Sequence, residues 1–188
     1  MQVFDFDNTL YRGESAVDFA LFLMRRRPKI MLWLPKIFWN LLKYKLCLIK
    51  KEHMEAQMNR FMQSCLPDKA EVHRQVRCFW RSHIHKLNAA LVSRIKPEDV
   101  IITAGPYFLL NPIRKQLGTS RLIASEVDLA HKTVRYLNFS ERKAARFRAM
   151  YGDTVPEAFF TDSYYDRALM DIAGRVYLVK KRTIRRIR

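Results

Sequence analysis

The sequence has few cysteines. They are Cys47, Cys65 and Cys78, and an odd number without a CxxC spacing argues against a disulfide framework. A secretory signal peptide is also not evident, because Met1 leads directly into a short strand-like run. We therefore expect a protein of the reducing, cytoplasmic side of the cell.

Acidic residues are scarce as well. The 188 residues include 18 Asp and Glu against 35 Lys and Arg, a formal net charge of +17. This charge predicts attraction to an anionic partner, such as a membrane surface, a nucleic acid or a phosphorylated substrate. Hydrophobic residues make up 49% and charged residues 28%. That balance indicates a globular chain with one core, or a core and a small inserted module.

An uninterrupted apolar segment is missing too. Residues 30–49 are rich in apolar side chains, but they are interrupted by Pro35, Lys36, Asn40, Lys43 and Lys45. Each lysine at the centre of a bilayer would cost roughly 3 kcal/mol, so we do not expect a membrane span. The segment forms either an interfacial anchor bent at Pro35, with Trp33 and Trp39 at headgroup depth, or part of a helical cap whose apolar faces pack together.

What the sequence does contain is a pair of acids near its start. Asp5 and Asp7 follow the β-rich run of residues 2–4, and the chain then turns at Asn8 and Thr9. In α/β proteins, ligands bind at the carboxyl ends of the strands. One carboxylate there can attack phosphorus, its neighbour can transfer protons, and both are hard oxygen ligands suited to Mg²⁺. The alternative is an exposed pair of acids at a strand end.

Residues 13–96 are predicted to be helical. An apolar helix is expected to begin at residues 14–18 and to end in the run of residues 25–28, and its charged start suits the helix dipole. Glu14 is close enough in sequence to the acid pair to project over it. A break at residues 65–68 precedes a further helix that carries apolar residues at helical spacing.

The second half of the chain alternates between strands and helices. Residues 99–103 form a predicted buried strand that ends in Thr103, and Ala104 and Gly105 precede a helix over residues 107–117. A strand-end hydroxyl and the free N–H groups at a helix start offer hydrogen bonds to an anion.

Two later elements carry charged residues. The predicted strand of residues 157–161 leads to Asp162 and Asp166, a second acidic pair at a strand end. The helix predicted over residues 140–151 has Lys143 in its first turn. A cation there opposes the helix dipole, so we expect Lys143 to serve a group outside its helix.

The remaining elements are a strand over residues 121–125, a hairpin over residues 127–139 and a last strand over residues 175–179. The tail, residues 180–188, contains six basic residues. It is predicted to be a disordered or surface arm for phosphates.

Four of these features occur in a characteristic order: the DxDxT of residues 5–9, the strand-end Thr103, the helix-start Lys143 and the DSxxD of residues 162–166. Together they resemble the haloacid dehalogenase superfamily of phosphohydrolases. The resemblance implies an α/β fold with a Rossmann-like parallel sheet core flanked by helices and an inserted α-helical cap domain. The enzyme would be a phosphoric monoester hydrolase.

The domain boundaries follow from the same resemblance. Residues 1–12 and 97–188 would form the catalytic core, and residues 13–96 the cap. An insert between the first and second motifs is similar to the cap of the phosphoserine-phosphatase-like branch.

The resemblance also implies roles for individual residues. Asp5 would be the nucleophile that becomes phosphorylated, and Asp7 the general acid and base. Thr103 would bind the phosphoryl oxygens, and Lys143 would offset their charge. The expected ligands of Mg²⁺ and their support are Asp5, the backbone carbonyl of Asp7, Asp162 and Asp166.

Glu14, Ala104 and Gly105 are the residues expected to contact the substrate. Three positions depart from the usual pattern of the superfamily, since Asn8, Ser140 and Thr161 stand where Gly is commoner. None of these departures removes a reacting group, but they affect the expected geometry of the loops.

The favoured function is a Mg²⁺-dependent phosphatase acting on a lipid-linked or other anionic phosphomonoester at the cytoplasmic membrane surface. The basic, tryptophan-bearing insert supports it, as does a looser similarity to bacterial phosphatidylglycerophosphatases. The alternatives are a phosphatase of soluble phosphometabolites such as phosphoserine, with Glu14 reading a cationic group, and a non-catalytic basic protein that binds membrane or nucleic acid. Nucleic acid is the less favoured partner, and the oligomeric state is not readable.

Overall fold

A seven-stranded, mostly parallel β-sheet forms the centre of the molecule. The structure, a computed structural model, describes residues 1–26, 39, 56, 59–60, 62–181 and 183–188. The strand order is β4-β3-β2-β1-β5-β6-β7. The strands are β1 Gln2–Asp5, β2 Val100–Pro106, β3 Arg121–Asp128, β4 Thr133–Tyr136, β5 Ala158–Thr161, β6 Arg175–Lys180 and β7 Thr183–Arg186. The expected Rossmann-like α/β fold is confirmed.

Helices flank this sheet. Where both ends of an α-helix lie in the described residues, the helices are α1 Ser15–Arg26, α2 Lys69–His83, α3 Ala89–Val92, α4 Tyr107–Leu110, α5 Glu141–Tyr151 and α6 Arg167–Ile172. Short 3₁₀ helices cover Ile84–Lys86, Asn111–Leu117 and Tyr164–Asp166. The helix expected over residues 107–117 is therefore α4 followed by a 3₁₀ helix. Pro112 explains the change, because proline has no N–H for the α-helical hydrogen bond.

The two faces of the sheet are buried by different helices. Side chains alternate along β1, so that Phe4 faces one layer and Val3 the other. Phe4 stacks on Phe160 of β5 at 4.7 Å between ring centroids and shares a core with residues of α1 and α2. Val3 belongs to a second core with residues of α5 and α6, including Phe147. β1 is thus fixed from both sides.

The insert packs directly on the layer that contains Phe4. Asp68 caps α2 by accepting a hydrogen bond of 2.9 Å from the N–H of Glu71, which confirms the helix start predicted after residues 65–68. The indole N–H of Trp80 donates to the carbonyl of Leu109 at 2.6 Å. This buried bond ties α2 to the helix that follows β2. The division into a core and a cap at residues 12 and 96 stays a prediction.

Residues 30–49, apart from Trp39, lie outside the described part of the chain. The interfacial anchor and the packed helical cap, the two interpretations of that segment, therefore both stay predictions. Trp39 is helical and its side chain is 56% exposed. In the described residues, no helix is both long enough and apolar enough to cross a bilayer.

The basic tail is not a disordered arm. Residues Thr183–Arg186 form β7, which pairs antiparallel with β6 and places Ile184 opposite Val179. Ile184 packs against the buried core, whereas Arg185 and Arg186 are exposed. The charge of the tail conceals this strand at the level of sequence, yet charged side chains on an edge strand are a common protection against further pairing.

The backbone has positive φ at two of the positions where the superfamily usually has Gly. Asn8 has φ 56° and Ser140 has φ 54° with ψ −126°. Asn tolerates the left-handed region better than most residues. Ser140 has no such advantage, because its φ and ψ lie in a region used almost entirely by Gly. The departure at Ser140 therefore carries backbone strain just before α5.

We predict that Ser140→Gly stabilises the protein. Relief of strain worth about 1–3 kcal/mol, less about 0.4–1 kcal/mol for the greater freedom of Gly in the unfolded chain, should raise the free energy of unfolding. Urea denaturation measures the change. Ser140→Ala is the control, since it removes the hydroxyl and keeps the strain; an equal gain from Ala would show that φ is not the cause.

Candidate active site

Three parallel strands bring the predicted site residues to one edge of the sheet. Asp5, the last residue of β1, lies opposite Ile102 of β2, one residue before Thr103. On the other side Phe4 lies opposite Phe160 of β5. Neighbouring strands are about 4.8 Å apart, so the chain segments that follow β1, β2 and β5 leave the sheet side by side.

Lys143 binds two carboxylates inside this edge. Its Nζ atom donates to Asp5 Oδ1 at 2.8 Å and to Asp166 Oδ2 at 2.9 Å. The three residues are 4%, 6% and 3% exposed. Burial lowers the pKa of Lys143, but the negative charges of Asp5 and Asp166 outweigh it and hold the pKa above its usual value. The prediction that Lys143 serves a group outside its helix is thus confirmed in its geometry.

Burial and the charge of Lys143 act on the Asp5 carboxyl group in opposite directions. Burial raises the pKa of Asp5 to about 8, opposed by the charge of Lys143 and reinforced by that of Asp166. One buried ammonium group therefore does not balance the carboxylates around it. Among the described residues, a proton or a further cation would complete the charge balance of this edge.

Asp7 is held by the start of α1. The backbone N–H of Ser15 donates to Asp7 Oδ1 at 2.6 Å. Burial raises the pKa of Asp7 to about 6, although the hydrogen bonds from Ser15 act in the opposite direction. A carboxyl group with this pKa exchanges protons readily near neutral pH.

The last residues of β2, from Thr103 to Pro106, face Asp7 and are called the Thr103 loop below, because the pairing of β2 with β3 is irregular there. The strand therefore continues beyond the end predicted at Thr103. The N–H of Gly105 donates to Thr103 Oγ1 at 2.9 Å. A Cβ atom at position 105 would lie 3.2 Å from Thr103 Oγ1 and 3.5 Å from Asp7 Oδ2. Gly105 therefore allows the close approach of this loop to the acid pair. Ala104, the third residue of this loop that was predicted to belong to the site, lies between Thr103 and Gly105.

Asn138 and Ser125 hold the same loop from behind, and sequence analysis missed both. The fully buried Asn138 donates from Nδ2 to the carbonyl of Thr103 at 2.9 Å. Ser125 donates from Oγ to the carbonyl of Ala104 at 2.7 Å and accepts from the N–H of Asn138 at 2.9 Å. The sequence indicated these contacts only by a polar residue, Asn138, shortly before the helix that contains Lys143.

Thr161 is part of the site rather than a neutral replacement for Gly. Its Oγ1 donates to Asp166 Oδ2 at 2.9 Å and accepts from the N–H of Ser163 at 3.2 Å. Asp166 Oδ2 therefore receives hydrogen bonds from both Thr161 and Lys143. The hydroxyl fixes the carboxylate that in turn fixes Lys143.

Asp162 lies within electrostatic range of the same groups. Burial raises the pKa of Asp162, and the charges of Glu14 and Asp166 add to this effect. Glu14 is exposed and accepts a hydrogen bond of 2.7 Å from Asn8 Nδ2. Glu14 is thus beside the site, as expected, and its contact with substrate stays a prediction.

The donor set fits a hard divalent cation by its chemistry. The carboxylates of Asp5, Asp162 and Asp166 supply oxygen atoms, and their charge exceeds that of the one lysine buried among them. In the described residues, no three acidic, histidine or cysteine side chains converge in the arrangement of a ready metal site. Asp5 and Asp166 instead form salt bridges with Lys143.

Solved structures with a similar fold include three informative relatives. A protein of unknown function from Bordetella pertussis Tohama I is 20% identical at a TM-score of 0.79, over 94% of this chain and 87% of its own. A phosphoserine phosphohydrolase-like protein from Francisella tularensis subsp. tularensis SCHU S4 is 20% identical at a TM-score of 0.60, over 94% and 86%. A phosphoserine phosphatase, described as a phospho-aspartyl intermediate analogue, is 16% identical at a TM-score of 0.53, over 93% and 83%. These likenesses show the fold.

Comparison with curated proteins gives no significant match. The family of haloacid dehalogenase-like hydrolases, in contrast, matches residues 3–171, a range that includes all four motifs from Asp5 to Asp166. The resemblance inferred from those motifs is confirmed, together with the expectation of a hydrolase. This chain belongs to the haloacid dehalogenase-like hydrolase family.

Proposed function

We propose that the protein is a Mg²⁺-dependent phosphatase that works through an aspartyl-phosphate on Asp5. Its substrate would be a lipid-linked or other anionic phosphomonoester at the cytoplasmic face of a membrane. The observation that carries the chemistry is the contact of Lys143 with Asp5 and Asp166, at the edge where Asp7 and the Thr103 loop also lie. The similarity to phosphoserine phosphatases supports the reaction class.

In the first step, Asp5 attacks the phosphorus atom of the ester as its carboxylate, the form that the charge of Lys143 favours and that a bound cation would favour further against the effect of burial. Lys143 binds Oδ1, so we assign the attack to Oδ2. The bond from phosphorus to the ester oxygen breaks, and the leaving oxygen takes a proton from Asp7. With a pKa of about 6, Asp7 retains an appreciable protonated fraction near neutral pH for this donation.

In the second step, water attacks the phosphorus atom of the aspartyl-phosphate and gives its proton to Asp7. The bond between phosphorus and Asp5 breaks, which releases inorganic phosphate and restores both acids. Phosphoryl transfer depends mainly on alignment and on fixed positive charge. Lys143 supplies that charge, and the hydroxyl and N–H groups of the Thr103 loop supply donors to the phosphoryl oxygens.

Asp5, Asp162 and the backbone carbonyl of Asp7 would hold Mg²⁺, with Asp166 in support. When bound, the ion would neutralise charge on the phosphoryl oxygens and keep the two anions, nucleophile and substrate, from repelling each other. This assignment agrees with the excess of carboxylates at the site.

A soluble substrate such as phosphoserine is the second candidate, because two of the similar structures are phosphoserine phosphatases or resemble them. The net charge of +17 favours an anionic surface instead, since a small soluble ester does not need so large a field. A basic binding protein without activity is the least supported function. It would have no use for a buried lysine held between two acids.

We predict that Asp5→Asn abolishes phosphatase activity. An amide is a poor nucleophile, and loss of a covalent nucleophile should lower kcat at least about a thousandfold. The measurement is release of inorganic phosphate from a panel of phosphate esters with Mg²⁺ present, together with mass spectrometry of the acid-quenched wild-type protein to detect a phosphate on Asp5.

Asp99→Asn is the matched control for this substitution. Asp99 is equally buried, but it accepts from the N–H groups of Gln2 and Lys96 at 2.7 and 2.8 Å, before the start of β2. Its replacement should lower stability and keep kcat. Turnover that survives in Asp5→Asn would refute the assignment of the nucleophile.

We predict that Thr161→Val lowers kcat about tenfold without changing KM. Valine has nearly the same shape but cannot donate to Asp166, so the carboxylate and Lys143 lose their fixed positions; loss of this hydrogen bond should also lower the free energy of unfolding by about 1–3 kcal/mol. Thr161→Ser, which keeps the hydroxyl, should restore kcat. If Ser fails as Val does, the hydroxyl is not the group that matters.

We predict binding to anionic vesicles that depends on salt. The protein should sediment with vesicles that contain phosphatidylglycerol at physiological ionic strength, and dissociate at about 1 M salt, where the Debye length is about 3 Å. Vesicles of phosphatidylcholine alone are the control. Absence of binding to the anionic vesicles would reject the membrane part of the proposal and leave the phosphatase chemistry standing.

A further inference from the structure

An apolar cavity lies beside the candidate active site. Its volume is about 160 Å³, and it is bounded by α1, by the segment before α2 and by the strands β2 and β3 with their loops. The lining residues used below are Ala16, Ala20, Leu23, Met62, Ala104 and Phe108. Leu23 and Met62 are buried at 4% and 7% exposure, whereas Ala16 is exposed. Ala16 is therefore the solvent-accessible residue among these lining residues.

Two of the lining residues, Ala16 and Ala104, are sequence neighbours of residues at the candidate active site. Ala16 follows Ser15, whose N–H binds Asp7. Ala104 follows Thr103, whose hydroxyl binds the N–H of Gly105. Consecutive Cα atoms are 3.8 Å apart, so the cavity lining includes the residues next to Ser15, which binds Asp7, and to Thr103.

The lining is chemically uniform. It consists almost entirely of alanine, leucine, phenylalanine, valine, methionine and proline side chains, and its one alcohol, Ser125, already donates to the carbonyl of Ala104 at 2.7 Å. A polar or zwitterionic leaving group would lose its hydration here without gaining partners from this described lining. A hydrocarbon group would gain by leaving water.

We propose that this cavity receives the hydrocarbon part of the leaving group, so that the enzyme prefers phosphate esters of apolar alcohols. The inference rests on the proposed phosphatase function and names its substrate class. A cavity of about 150 Å³ with an apolar lining takes a group of benzene size. The cavity therefore accommodates about six carbon atoms, as a short alcohol or as the part of a longer chain nearest the phosphate.

The test measures kcat/KM for a series of alkyl phosphates from ethyl to decyl, with phosphoserine for comparison. We expect kcat/KM to rise about two- to fourfold per methylene up to about six carbons, and phosphoserine to rank with ethyl phosphate. The same series is repeated with lysophosphatidic acid in vesicles. A large further gain there identifies a lipid as the source of the chain, and equal values identify a soluble apolar ester.

Two substitutions should move this dependence in opposite directions. Ala20 lies one helical turn after Ala16 on the cavity side of α1, so Ala20→Phe should fill the cavity and flatten the rise with chain length. Phe108→Ala should enlarge the cavity and shift the plateau to longer chains. Leu21→Phe is the matched control, since Leu21 is 43% exposed on the same helix, and it should keep the wild-type dependence.

A parallel binding assay separates this inference from the proposed function. Alkyl phosphonates are not hydrolysed, and their effect on Tm should grow with chain length in the wild type and not in Ala20→Phe. If kcat/KM does not depend on chain length and Ala20→Phe has no effect on it, the inference is overturned, and the proposed phosphatase function still stands. Phosphonates that bind by chain length to a protein without turnover would support the cavity and overturn the phosphatase.

Discussion

The contact of Lys143 with Asp5 and Asp166 is the interaction on which the site depends. It joins residues 138 and 23 positions apart in the sequence, and all three are buried. Removing such charges from water is costly unless each is paired and hydrogen-bonded. The strands β1 and β5 and the helix α5 must therefore be packed together before the ion pair can form. The hydroxyl of Thr161 then fixes the carboxylate of Asp166 by a hydrogen bond. The fold and the chemistry are specified by the same contacts.

The position of β1 explains why one edge of the sheet collects every motif. The first strand of the chain lies in the middle, between β2 and β5, so its parallel partners come from far along the chain, with Val3 opposite Val100 and Gln2 opposite Ala158. Contacts of this sequence separation form slowly in folding because loop closure precedes them. The site is thus completed only when the C-terminal strand β5 has paired with β1. On the far side of β5, the sheet continues through β6 to β7, the edge strand formed by the basic tail.

Much of this arrangement could be predicted from sequence, and the parts that could not share a cause. Asp5, Asp7 and Lys143 stand near a strand end or a helix start, where local pattern is informative, whereas the strand predicted to end at Thr103 continues to Pro106. Asn138, Ser125 and the role of Thr161 depend on contacts between distant segments, which no local pattern reports. β7 was missed because charge conceals a strand whose backbone pairs while its side chains stay in water. Asn8 and Ser140 seemed only to be departures from Gly, and the structure shows that both keep the positive φ that Gly would have supplied.

Charge links these observations to the choice of substrate. The candidate site contains one buried ammonium group shared by two carboxylates, with further acids in range, and a phosphate monoester would add about two negative charges. Among the described residues such a site has an excess of negative charge, and this excess agrees with the Mg²⁺ that we propose. The apolar cavity beside the site cannot contribute to that balance. We propose that it binds the rest of the ester instead. The substrate would then have an anionic phosphate at one end and a hydrocarbon group at the other.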